Sequence, residues 1–492
     1  MKITLLLWFT AVASSAAPAI DGIWKLATPS AEPVTLRLKS AAKSFEGSYA
    51  YTPGEFPISE TWCEGASVGF TLRVPFAAGA YVRRFDGTVT GDEMELRVTR
   101  PTHPNAKVKT QKYIRVSGDP GVYARAVPER VTVPLPLPWD RLAPLPPMGW
   151  NSWYAFDVKV DDASIRAMAD AMASNGMLAA GYRYLNIDDG WQGTRDPEGN
   201  IRPNERFPDM RALSDYVHRK GFLLGIYSSP GPHTCAGFEG SFGHEEQDAK
   251  TYAAWGVDLL KYDWCSAGYV MPLSEMGWAY GKMGAALRAT GRPIVFSICQ
   301  YGMMNVAEWA PLTGAHMWRS TVDIKDRWNS MKAISTAQAG LERYARPGAW
   351  NDPDMLQASR GGMSAIEYRT QMTLWAMLAA PLLVSSDLRK IGAEDLAILT
   401  NPEVIAVNQD RAGKQGRVVA SKGDVSAWVR PLASGGYAIA VVNLGDEEAT
   451  AGFSLTELRV PSGLALRNLW GGAGELPTTL PPHASVMLRA GK

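Results

Sequence analysis

The spacing of apolar positions divides this chain into three regions. From about residue 20 to 118, and again after about residue 405, apolar and polar residues alternate over short runs separated by Gly, Pro, Asn and Asp. That pattern is typical of antiparallel strands. Between about residues 146 and 400, short continuous apolar runs alternate with stretches of helical periodicity, which indicates buried parallel strands and amphipathic helices.

The central region contains about eight strand–helix repeats in roughly 250 residues, which matches a (β/α)8 barrel. Ile165, Met168 and Met172 recur at helical spacing, and Ser364 to Glu367 form a capping box that opens a long helix. A doubly wound open sheet is the alternative. No glycine-rich dinucleotide fingerprint follows the first predicted strand, which favours the barrel.

The predicted fold class is therefore α/β: a (β/α)8 TIM barrel with an N-terminal β domain and a C-terminal antiparallel β-sandwich. We assign residues 18–125 to the N-terminal domain, itself a small antiparallel barrel or sandwich. A proline-rich linker at 126–145 follows, because alternating prolines form a stiff, extended connector. The catalytic barrel then occupies 146–403 and the sandwich 404–492.

The first 17 residues have the pattern of a secretory signal peptide. Lys2 precedes an apolar run from Ile3 to Val12, and small residues lead up to Pro18. The run is too short to span a bilayer, and no later stretch is apolar enough to do so. We therefore expect a secreted or periplasmic protein, and four cysteines fit such an oxidising compartment.

The charge balance argues against several classes of partner. The chain has 50 Lys and Arg against 49 Asp and Glu, for a net charge of +1. This balance gives no basis for binding nucleic acid or an anionic membrane. The 17 tryptophans suit carbohydrate sites, although most are expected to fill cores. The oligomeric state stays open.

One stretch of the central region concentrates reactive side chains. An apolar run ends in Lys261-Tyr262-Asp263-Trp264-Cys265, which predicts a buried strand with Asp263 at its carboxyl end, where such barrels carry their chemistry. Lys261 points to the same side as Asp263 and would keep that carboxylate ionised, as a nucleophile requires. The stretch alone is equally compatible with a structural ion pair.

Other predicted strand ends carry carboxylates and aromatic rings, which together suit a sugar site. They are Trp150, Asp188, Asp189, Tyr227, Cys299, Tyr301, Arg319, Asp323 and residues 351–354. A metal site is a weaker alternative, because the six histidines show no paired ligand spacing.

Several motifs resemble glycoside hydrolase family 27, the α-galactosidases (melibiases). They occur in the family's order over about residues 146 to 415 and are followed by a family-like β tail, whereas the N-terminal β region lies outside the resemblance. The motifs are Pro147 to Trp153, Asn186 to Trp191, Gly225 to Tyr227, Thr234 to Gly237, Lys261 to Cys265, Trp318-Arg319 with Asp323-Ile324, Trp350 to Met355, Trp375 to Leu382 and Val407 to Asp410.

The resemblance implies that Asp263 is the nucleophile and Asp323 the general acid/base. It also implies a substrate-binding set, a disulfide between Cys235 and Cys265, and no metal or cofactor. The binding set comprises Trp150 under the galactose ring, Asp188 and Asp189 at the 4- and 6-hydroxyls, Tyr227, Lys261 and Arg319 at further sugar contacts, Cys299 and Tyr301 at the 2-position, and Cys235 and Met355 in the same pocket.

Two departures from the family pattern bear on the sugar and aglycone preference. Cys299-Gln300-Tyr301-Gly302 stands where plant members have Cys-Glu-Trp-Gly, and Trp264 follows the nucleophile where a small or amide residue is common. The side chain of Gln300 is equally compatible with facing the sugar or pointing away.

The implied function is a secreted retaining exo-α-galactosidase that releases terminal α-galactosyl residues from oligo- or polysaccharides. The alternatives are β-L-arabinopyranosidase or α-N-acetylgalactosaminidase activity, or a non-catalytic carbohydrate-binding protein on a decayed barrel. Intact Asp263 and Asp323 argue against the last of these.

Overall fold

The computed structural model describes residues 20–27, 34–41, 44–51, 54–76, 79–101, 108–117, 136–137, 142–271, 273–472 and 474–491. The predicted signal peptide lies outside these residues, as does most of the predicted linker. The chain divides into two compact units, the smaller made mostly of residues before 124 and the larger mostly of residues from 124 onward.

The N-terminal unit is an eight-stranded closed barrel. Its strands are β1 (Gly22–Leu26), β2 (Thr35–Ala41), β3 (Ser44–Tyr51), β4 (Gly54–Glu64), β5 (Ser67–Phe76), β6 (Gly79–Thr90), β7 (Glu93–Thr99) and β8 (Lys109–Val116). The antiparallel pairing of β1 with β8 closes the barrel, with Trp24 opposite Arg115. Buried aromatic rings fill its interior, including Phe70 stacked on Phe85 at 4.5 Å. The two predicted possibilities are thus resolved in favour of a packed barrel.

The second unit contains the predicted (β/α)8 barrel. Its strands, with one accessory hairpin, are β9 (Met148–Asn151), β10 (Tyr184–Asn186), β11 (Gln192–Arg195), β12 (Ile201–Pro203), β13 (Leu223–Ser228), β14 (Leu259–Asp263), β15 (Val295–Cys299), β16 (Met317–Arg319), β17 (Trp350–Asp352) and β18 (Leu382–Val384). All except the β11–β12 hairpin form one parallel sheet in the order β17-β16-β15-β14-β13-β10-β9-β18. A parallel bridge between Leu356 and Val384 joins its two edges.

Helices follow the barrel strands. They are α1 (Trp153–Phe156), α2 (Asp162–Ser174), α3 (Met210–Arg219), α4 (Glu245–Trp255), α5 (Met276–Ala289), α6 (Val306–Trp309), α7 (Trp328–Thr336), α8 (Ala365–Met377), α9 (Ala393–Leu399) and α10 (Pro402–Asn408). Single 3-10 turns occur at Asp157–Lys159, Ala267–Tyr269, Leu273–Glu275, Ala310–Thr313 and Leu388–Lys390.

Local sequence signals explain where these helices begin and end. The predicted capping box of α8 is present: Ser364 Oγ accepts from the Glu367 N–H at 3.3 Å, and Glu367 accepts from the Ser364 N–H at 2.6 Å. Helix α7 ends at Thr336. The hydroxyl of Thr336 donates back to the Lys332 carbonyl at 2.8 Å, and Gly340 then turns the chain at φ 85°.

The C-terminal part is built from antiparallel strands, as predicted. They are β19 (Arg417–Lys422), β20 (Val425–Pro431), β21 (Tyr437–Asn443), β22 (Ala449–Thr450), β23 (Ala465–Asn468), β24 (Thr479–Leu480) and β25 (Ser485–Gly491). Five form a sheet in the order β19-β20-β21-β25-β23, and β22 pairs with β24. Helix α10 crosses the boundary predicted at residue 403. Asn408, at the end of α10, donates to the Ala380 carbonyl at 2.9 Å, which ties this helix to the parallel barrel.

Buried Arg430 connects this domain to the barrel. Its guanidinium donates to the carbonyls of Ala376 at 2.6 Å and of Asn408 at 3.3 Å, which lie in the last turns of α8 and α10. A cation at the negative ends of two helix dipoles is electrostatically favourable. In the part of the chain that the structure describes, no helix combines the length and apolar character needed to cross a bilayer.

Candidate active site

The inward-facing residues of the parallel barrel form layers, because alternate residues of a strand point to the same side. The lowest layer is apolar and includes Leu259, Val295, Met317 and Trp350, which pack together in one cluster. Two residues further along the same strands lie Lys261, Ser297, Arg319 and Asp352. Asp263 and Cys299 follow in register on neighbouring strands. Polar groups therefore gather at the carboxyl ends of the strands, above an apolar floor.

Asp263 ends β14 and is only 5% exposed. Its Oδ1 accepts from the Trp264 N–H at 2.9 Å, and its Oδ2 accepts from the Tyr227 hydroxyl at 3.3 Å. Burial raises the pKa of Asp263 to about 6, and Lys261 opposes that rise without cancelling it. Lys261 lowers the pKa of Asp263 and so favours the ionised carboxylate, in the direction expected from the sequence, but burial has the larger effect on this pKa.

Lys261 forms its closest ion pair with Asp188, whose Oδ2 lies 2.7 Å from Nζ. The same oxygen accepts from the Asn151 amide at 2.7 Å. Burial works against the charge of Lys261, yet Asp188, Cys299 and Asp263 hold the pKa of its ammonium above the ordinary value. The ammonium also lies 5.2 Å from the centre of the Tyr227 ring. A fixed positive charge thus stands within a group of carboxylates.

Asp189, beside this ion pair, is 1% exposed. One carboxylate oxygen, Oδ2, accepts from the Ala236 N–H at 2.8 Å, while Oδ1 has no hydrogen-bond partner within 3.5 Å among the described residues, although the nearby Thr234 hydroxyl lowers the pKa of this carboxyl. Burial raises the pKa of Asp189 to about 7. A buried oxygen of this kind is costly to leave unpaired, so it is an acceptor site for a hydroxyl group of a ligand.

Asp323 has a different environment from Asp263. It lies after the end of β16 with a side chain that is 49% exposed, and its Oδ1 accepts from Arg319 Nη2 at 3.0 Å. Arg319 is itself buried and also contacts Asp354 Oδ2 at 3.0 Å. Desolvation within the site is the largest single influence and raises the pKa of Asp323, but Arg319, Lys261 and Lys325 together outweigh it and lower that pKa below the ordinary value.

Two apolar residues of the predicted set have fixed positions. The buried Trp150 indole donates to the Ser386 carbonyl at 2.8 Å and meets Phe156 edge-on at 5.9 Å. Met355 is 5% exposed and packs in the apolar cluster with Trp350, although it also lines a small cavity beside Lys261. Met355 therefore belongs to the floor of the site as much as to its wall.

A disulfide joins Cys235 to Cys265, two residues beyond Asp263. The Tyr301 hydroxyl lies 3.5 Å from Cys235 Sγ, and Tyr301 has a left-handed backbone, with φ 61°. Cys299 is buried with its sulfur 3.6 Å from Arg319 Nη1. These contacts bring Cys235, Cys299 and Tyr301 to the same side of the pocket as Asp263 and Arg319.

Gln300, the first departure from the family pattern, is completely buried. Its amide nitrogen donates to the backbone carbonyl of Arg319 at 3.4 Å, while Oε1 has no partner among the described residues. Trp264, the second departure, is also buried, in a tilted contact with Tyr280 at 5.7 Å.

The group nearest to a metal-binding arrangement consists of Cys235, Asp263 and Cys265, whose potential ligand atoms lie within 4.8 Å of one another. Both sulfurs are joined in the disulfide, so neither offers the thiolate that metal binding requires.

The substrate-binding set implied by the family resemblance omitted three residues with direct contacts in the site, Asn151, Asp352 and Asp354, although the last two belong to the strand end at residues 351–354 that the sequence analysis included among the candidates. Asn151 donates to Asp188, while burial raises the pKa of Asp352 to about 6. Asp352 and Asp354 lie at the end of a predicted strand, which was a usable signal. Asn151 occurs in a quoted motif, but nothing in its local pattern points to Asp188.

A closed parallel barrel with carboxylates, a lysine, an arginine and aromatic rings at its carboxyl edge has the composition of a glycoside hydrolase site. Comparison with known proteins agrees. A family model described as alpha galactosidase A matches residues 145–410, and a model of the alpha galactosidase C-terminal beta sandwich domain matches residues 422–490.

The chain belongs to the α-galactosidase family, glycoside hydrolase family 27. It is 44% identical over 358 residues to the alpha-galactosidase of Cyamopsis tetragonoloba, covering 70% of this chain and 86% of that protein. Alpha-galactosidase A of Cellvibrio japonicus is 43% identical over 381 residues, with 71% and 93% covered. The protein is accordingly a glycoside hydrolase.

Solved structures extend the similarity. Alpha-galactosidase I of Mortierella vinacea aligns with a TM-score of 0.68 at 34% identity, covering 71% of this chain and 97% of that one. A putative alpha-galactosidase of Bacteroides fragilis aligns with a TM-score of 0.67 at 30% identity and covers 96% of this chain and 99% of its own. The second match therefore includes the N-terminal β region, which the first does not span.

Proposed function

We propose that this α-galactosidase is a secreted enzyme that removes terminal α-galactosyl residues with retention of configuration. The observation that carries the proposal is the contrast between two aspartates at the carboxyl edge of the barrel. Asp263 is buried at the end of a strand, whereas Asp323 is half-exposed and bound to Arg319. A retaining glycosidase needs one carboxylate that attacks and another that exchanges protons with the leaving group and water.

In the first step, an ionised Asp263 oxygen attacks the anomeric carbon and forms a carbon–oxygen bond. The bond from that carbon to the glycosidic oxygen breaks, and the departing oxygen takes a proton from Asp323, so the reactive form is the one in which the two carboxyl groups share one proton and Asp323 holds it. The products are a covalent galactosyl–enzyme ester and the free alcohol. Asp323 is left as a carboxylate, which Arg319 stabilises at 3.0 Å.

In the second step, Asp323 accepts a proton from water as the water oxygen attacks the same carbon. The ester bond breaks, Asp263 leaves as a carboxylate, and Asp323 again carries a proton. Two inversions restore the original α configuration. Tyr227 and the Trp264 N–H stabilise the Asp263 carboxylate when it departs, because both donate hydrogen bonds to it.

The binding set fits a neutral polyhydroxyl ring. We propose that Asp189 and Asp188 hold the 4- and 6-hydroxyls, since Asp189 Oδ1 needs a donor. Trp150 forms the wall under the ring, and Tyr227, Lys261 and Arg319 make further contacts. Cys235 and Met355 complete the pocket. The apolar layer beneath blocks passage through the barrel, which supports exo action on chain ends.

The 2-position is assigned to Cys299 and Tyr301. A tyrosine ring there fills the space that an acetamide would need, and a packed wall yields only with strain. We therefore propose a preference for galactosides over N-acetylgalactosaminides. A panel of nitrophenyl glycosides tests this, and it includes β-L-arabinopyranoside, a sugar that lacks the 6-carbon.

Azide rescue tests the catalytic assignment. With Asp263→Ala and an activated aryl α-galactoside, azide should attack directly and give the β-galactosyl azide, while wild-type enzyme releases α-galactose first; NMR distinguishes these anomers. Retained azide product from Asp263→Ala would contradict the assignment of the nucleophile. Binding of galactose without any release from α-galactosides would instead favour the non-catalytic alternative.

Secretion is proposed from the pattern of the first 17 residues alone. Expression of the full-length chain in a Gram-negative host should give a protein in the periplasm or medium whose N-terminal sequence begins near Pro18. Recovery of active protein in the cytoplasm with residues 1–17 intact would contradict this part of the proposal.

A further inference from the structure

We propose that Asp354 is a positioning residue that holds the acid/base Asp323 in place through two neighbours, Arg319 and Ile324. The inference rests on the proposed role of Asp323. Asp354 lies outside the substrate-binding set that the family resemblance implies. The inference assigns it a kinetic signature that a purely structural residue would lack.

The first observation is that one oxygen of Asp354 contacts both neighbours of the acid/base. Asp354 Oδ2 accepts from the Ile324 N–H at 2.8 Å and lies 3.0 Å from Arg319 Nη2. That same nitrogen is 3.0 Å from Asp323 Oδ1. Asp354 therefore fixes the backbone directly after Asp323 and also the guanidinium that binds its side chain.

The second observation is that Asp354 is itself held firmly. Its backbone is left-handed, with φ 87°, which non-glycine residues rarely adopt. The N–H donates to Asp352 Oδ1 at 2.8 Å, and the carbonyl accepts from the Trp375 indole at 2.7 Å. With 3% exposure, the residue is enclosed. Strained backbone that is fixed by several bonds is characteristic of functional sites.

The third observation is that Asp323 has little other support. Its side chain is 49% exposed, and among the described residues Arg319 is the group that hydrogen-bonds its carboxylate. The Ile324 peptide is held on its other side as well, because its carbonyl accepts from the Tyr154 hydroxyl at 2.5 Å. A half-exposed acid on a loop thus depends on contacts that continue through Asp354.

Proton donation demands such support. A general acid works only within hydrogen-bond reach of the leaving oxygen, and a misplacement of about 1 Å costs on the order of 100-fold in rate. The nucleophile Asp263 is held by a separate set of donors, Tyr227 and the Trp264 N–H. Loss of Asp354 should therefore impair acid catalysis selectively.

The test compares two substrates that differ in their need for a proton. Melibiose has a sugar leaving group that requires protonation, whereas 2,4-dinitrophenyl α-galactoside leaves without one. Asp354→Asn keeps the size of the side chain and removes the charge that pairs with Arg319. We expect kcat/KM for melibiose to fall roughly 10- to 100-fold, with a change of less than about 5-fold for the dinitrophenyl substrate.

Asp248→Asn is the matched control. Asp248 is another buried aspartate, and it pairs with Arg195 at 2.6 Å away from the predicted site residues. The Asp248→Asn substitution should lower the melting temperature, but it should change kcat/KM for melibiose and for the dinitrophenyl substrate by the same factor. If Asp354→Asn does not fold, Asp354→Glu provides a second comparison, because the longer side chain keeps the charge but displaces the carboxylate from the Ile324 N–H and Arg319.

A double-mutant cycle separates failure of this inference from failure of the proposed function. Asp323→Ala alone must reduce activity on melibiose far more than on the dinitrophenyl substrate; otherwise the role of Asp323 is wrong. If that holds, adding Asp354→Asn to Asp323→Ala should change melibiose activity little, since the positioned group is already gone. Equal losses on both substrates for Asp354→Asn, or additive losses in the cycle, would overturn the inference alone.

Discussion

Replacing the proposed nucleophile should make the protein more stable at neutral pH. Asp263 is 5% exposed, and burial raises its pKa from 3.8 to about 6. Its ionised form is therefore destabilised in the folded protein, even with Lys261 nearby. Asp263→Asn keeps the shape of the side chain and the acceptor for the Trp264 N–H while it removes the charge. The substitution should raise the free energy of unfolding wherever Asp263 would be ionised.

The magnitude follows from linkage. Because the folded pKa lies above the unfolded one, the folded state binds the proton more tightly, and wild-type stability from this group is lost as pH rises through about 6. A difference of roughly two pKa units corresponds to about 3 kcal/mol between fully acidic and fully alkaline conditions. Between about pH 4 and 8, the stability gap between Asp263→Asn and wild type should widen by about 2 kcal/mol.

Urea unfolding at both pH values, followed by tryptophan fluorescence, measures this gap. The change with pH is the informative quantity, because altered packing in Asp263→Asn contributes nearly equally at both. Asp248→Asn is a useful comparison, since it removes one partner of a buried ion pair with Arg195 and should destabilise the protein. A gap that stays constant or narrows toward pH 8 would refute the reasoning that burial outweighs Lys261.

Three further predictions concern the pH profile, the disulfide and Arg430. In the pH profile of kcat/KM for 2,4-dinitrophenyl α-galactoside, which needs no proton from Asp323, the acidic limb should have an apparent pKa near 6, because below that pH Asp263 is protonated and cannot attack; a limb near 4 would contradict this. Thiol titration under denaturing, non-reducing conditions should find two free thiols, Cys63 and Cys299, whereas four free thiols would exclude the disulfide. The double variant Cys235→Ser/Cys265→Ser should lower the free energy of unfolding, measured in urea, by about 2–4 kcal/mol. Arg430→Met should lower the free energy of unfolding by about 2–4 kcal/mol, because it leaves helix-end carbonyls unpaired. The control Arg417→Met, at an exposed position in the same domain, should lower it by less than about 0.5 kcal/mol. Similar losses for the two variants would argue against the role of Arg430.

The central barrel was predictable because its strands are buried on both faces, which produces apolar runs that differ visibly from the helices between them. Strand periodicity also placed Lys261 and Asp263 on one side, and the layers of the barrel agree. The N-terminal region was harder, because a closed barrel and a sandwich share the same alternation. Only the pairing of β1 with β8 distinguishes them, and that pairing joins residues far apart in sequence.

Side-chain contacts between distant residues were beyond sequence reasoning. Lys261 was assigned by its neighbour in the chain, yet its closest partner is Asp188, which follows the end of strand β10. Likewise, the link from Asp354 to the Ile324 N–H joins two loops through a left-handed residue that no periodicity indicates. Strand spacing determines which residues face inward, whereas rotamers and loop geometry decide which of them touch.

The charge pattern of the pocket constrains the substrate it accepts. Lys261 and Arg319 stand among a larger group of carboxylates, which includes Asp188, Asp189 and Asp263. Burial raises the pKa of Asp189 and Asp263, so ionisation of these two carboxyl groups is unfavourable in the pocket. A neutral sugar brings hydroxyl donors to these oxygens and relieves that cost, whereas a uronic acid would add another buried carboxylate. We therefore expect the pocket to reject anionic sugars, through the same carboxylates that are proposed to bind the galactose hydroxyls.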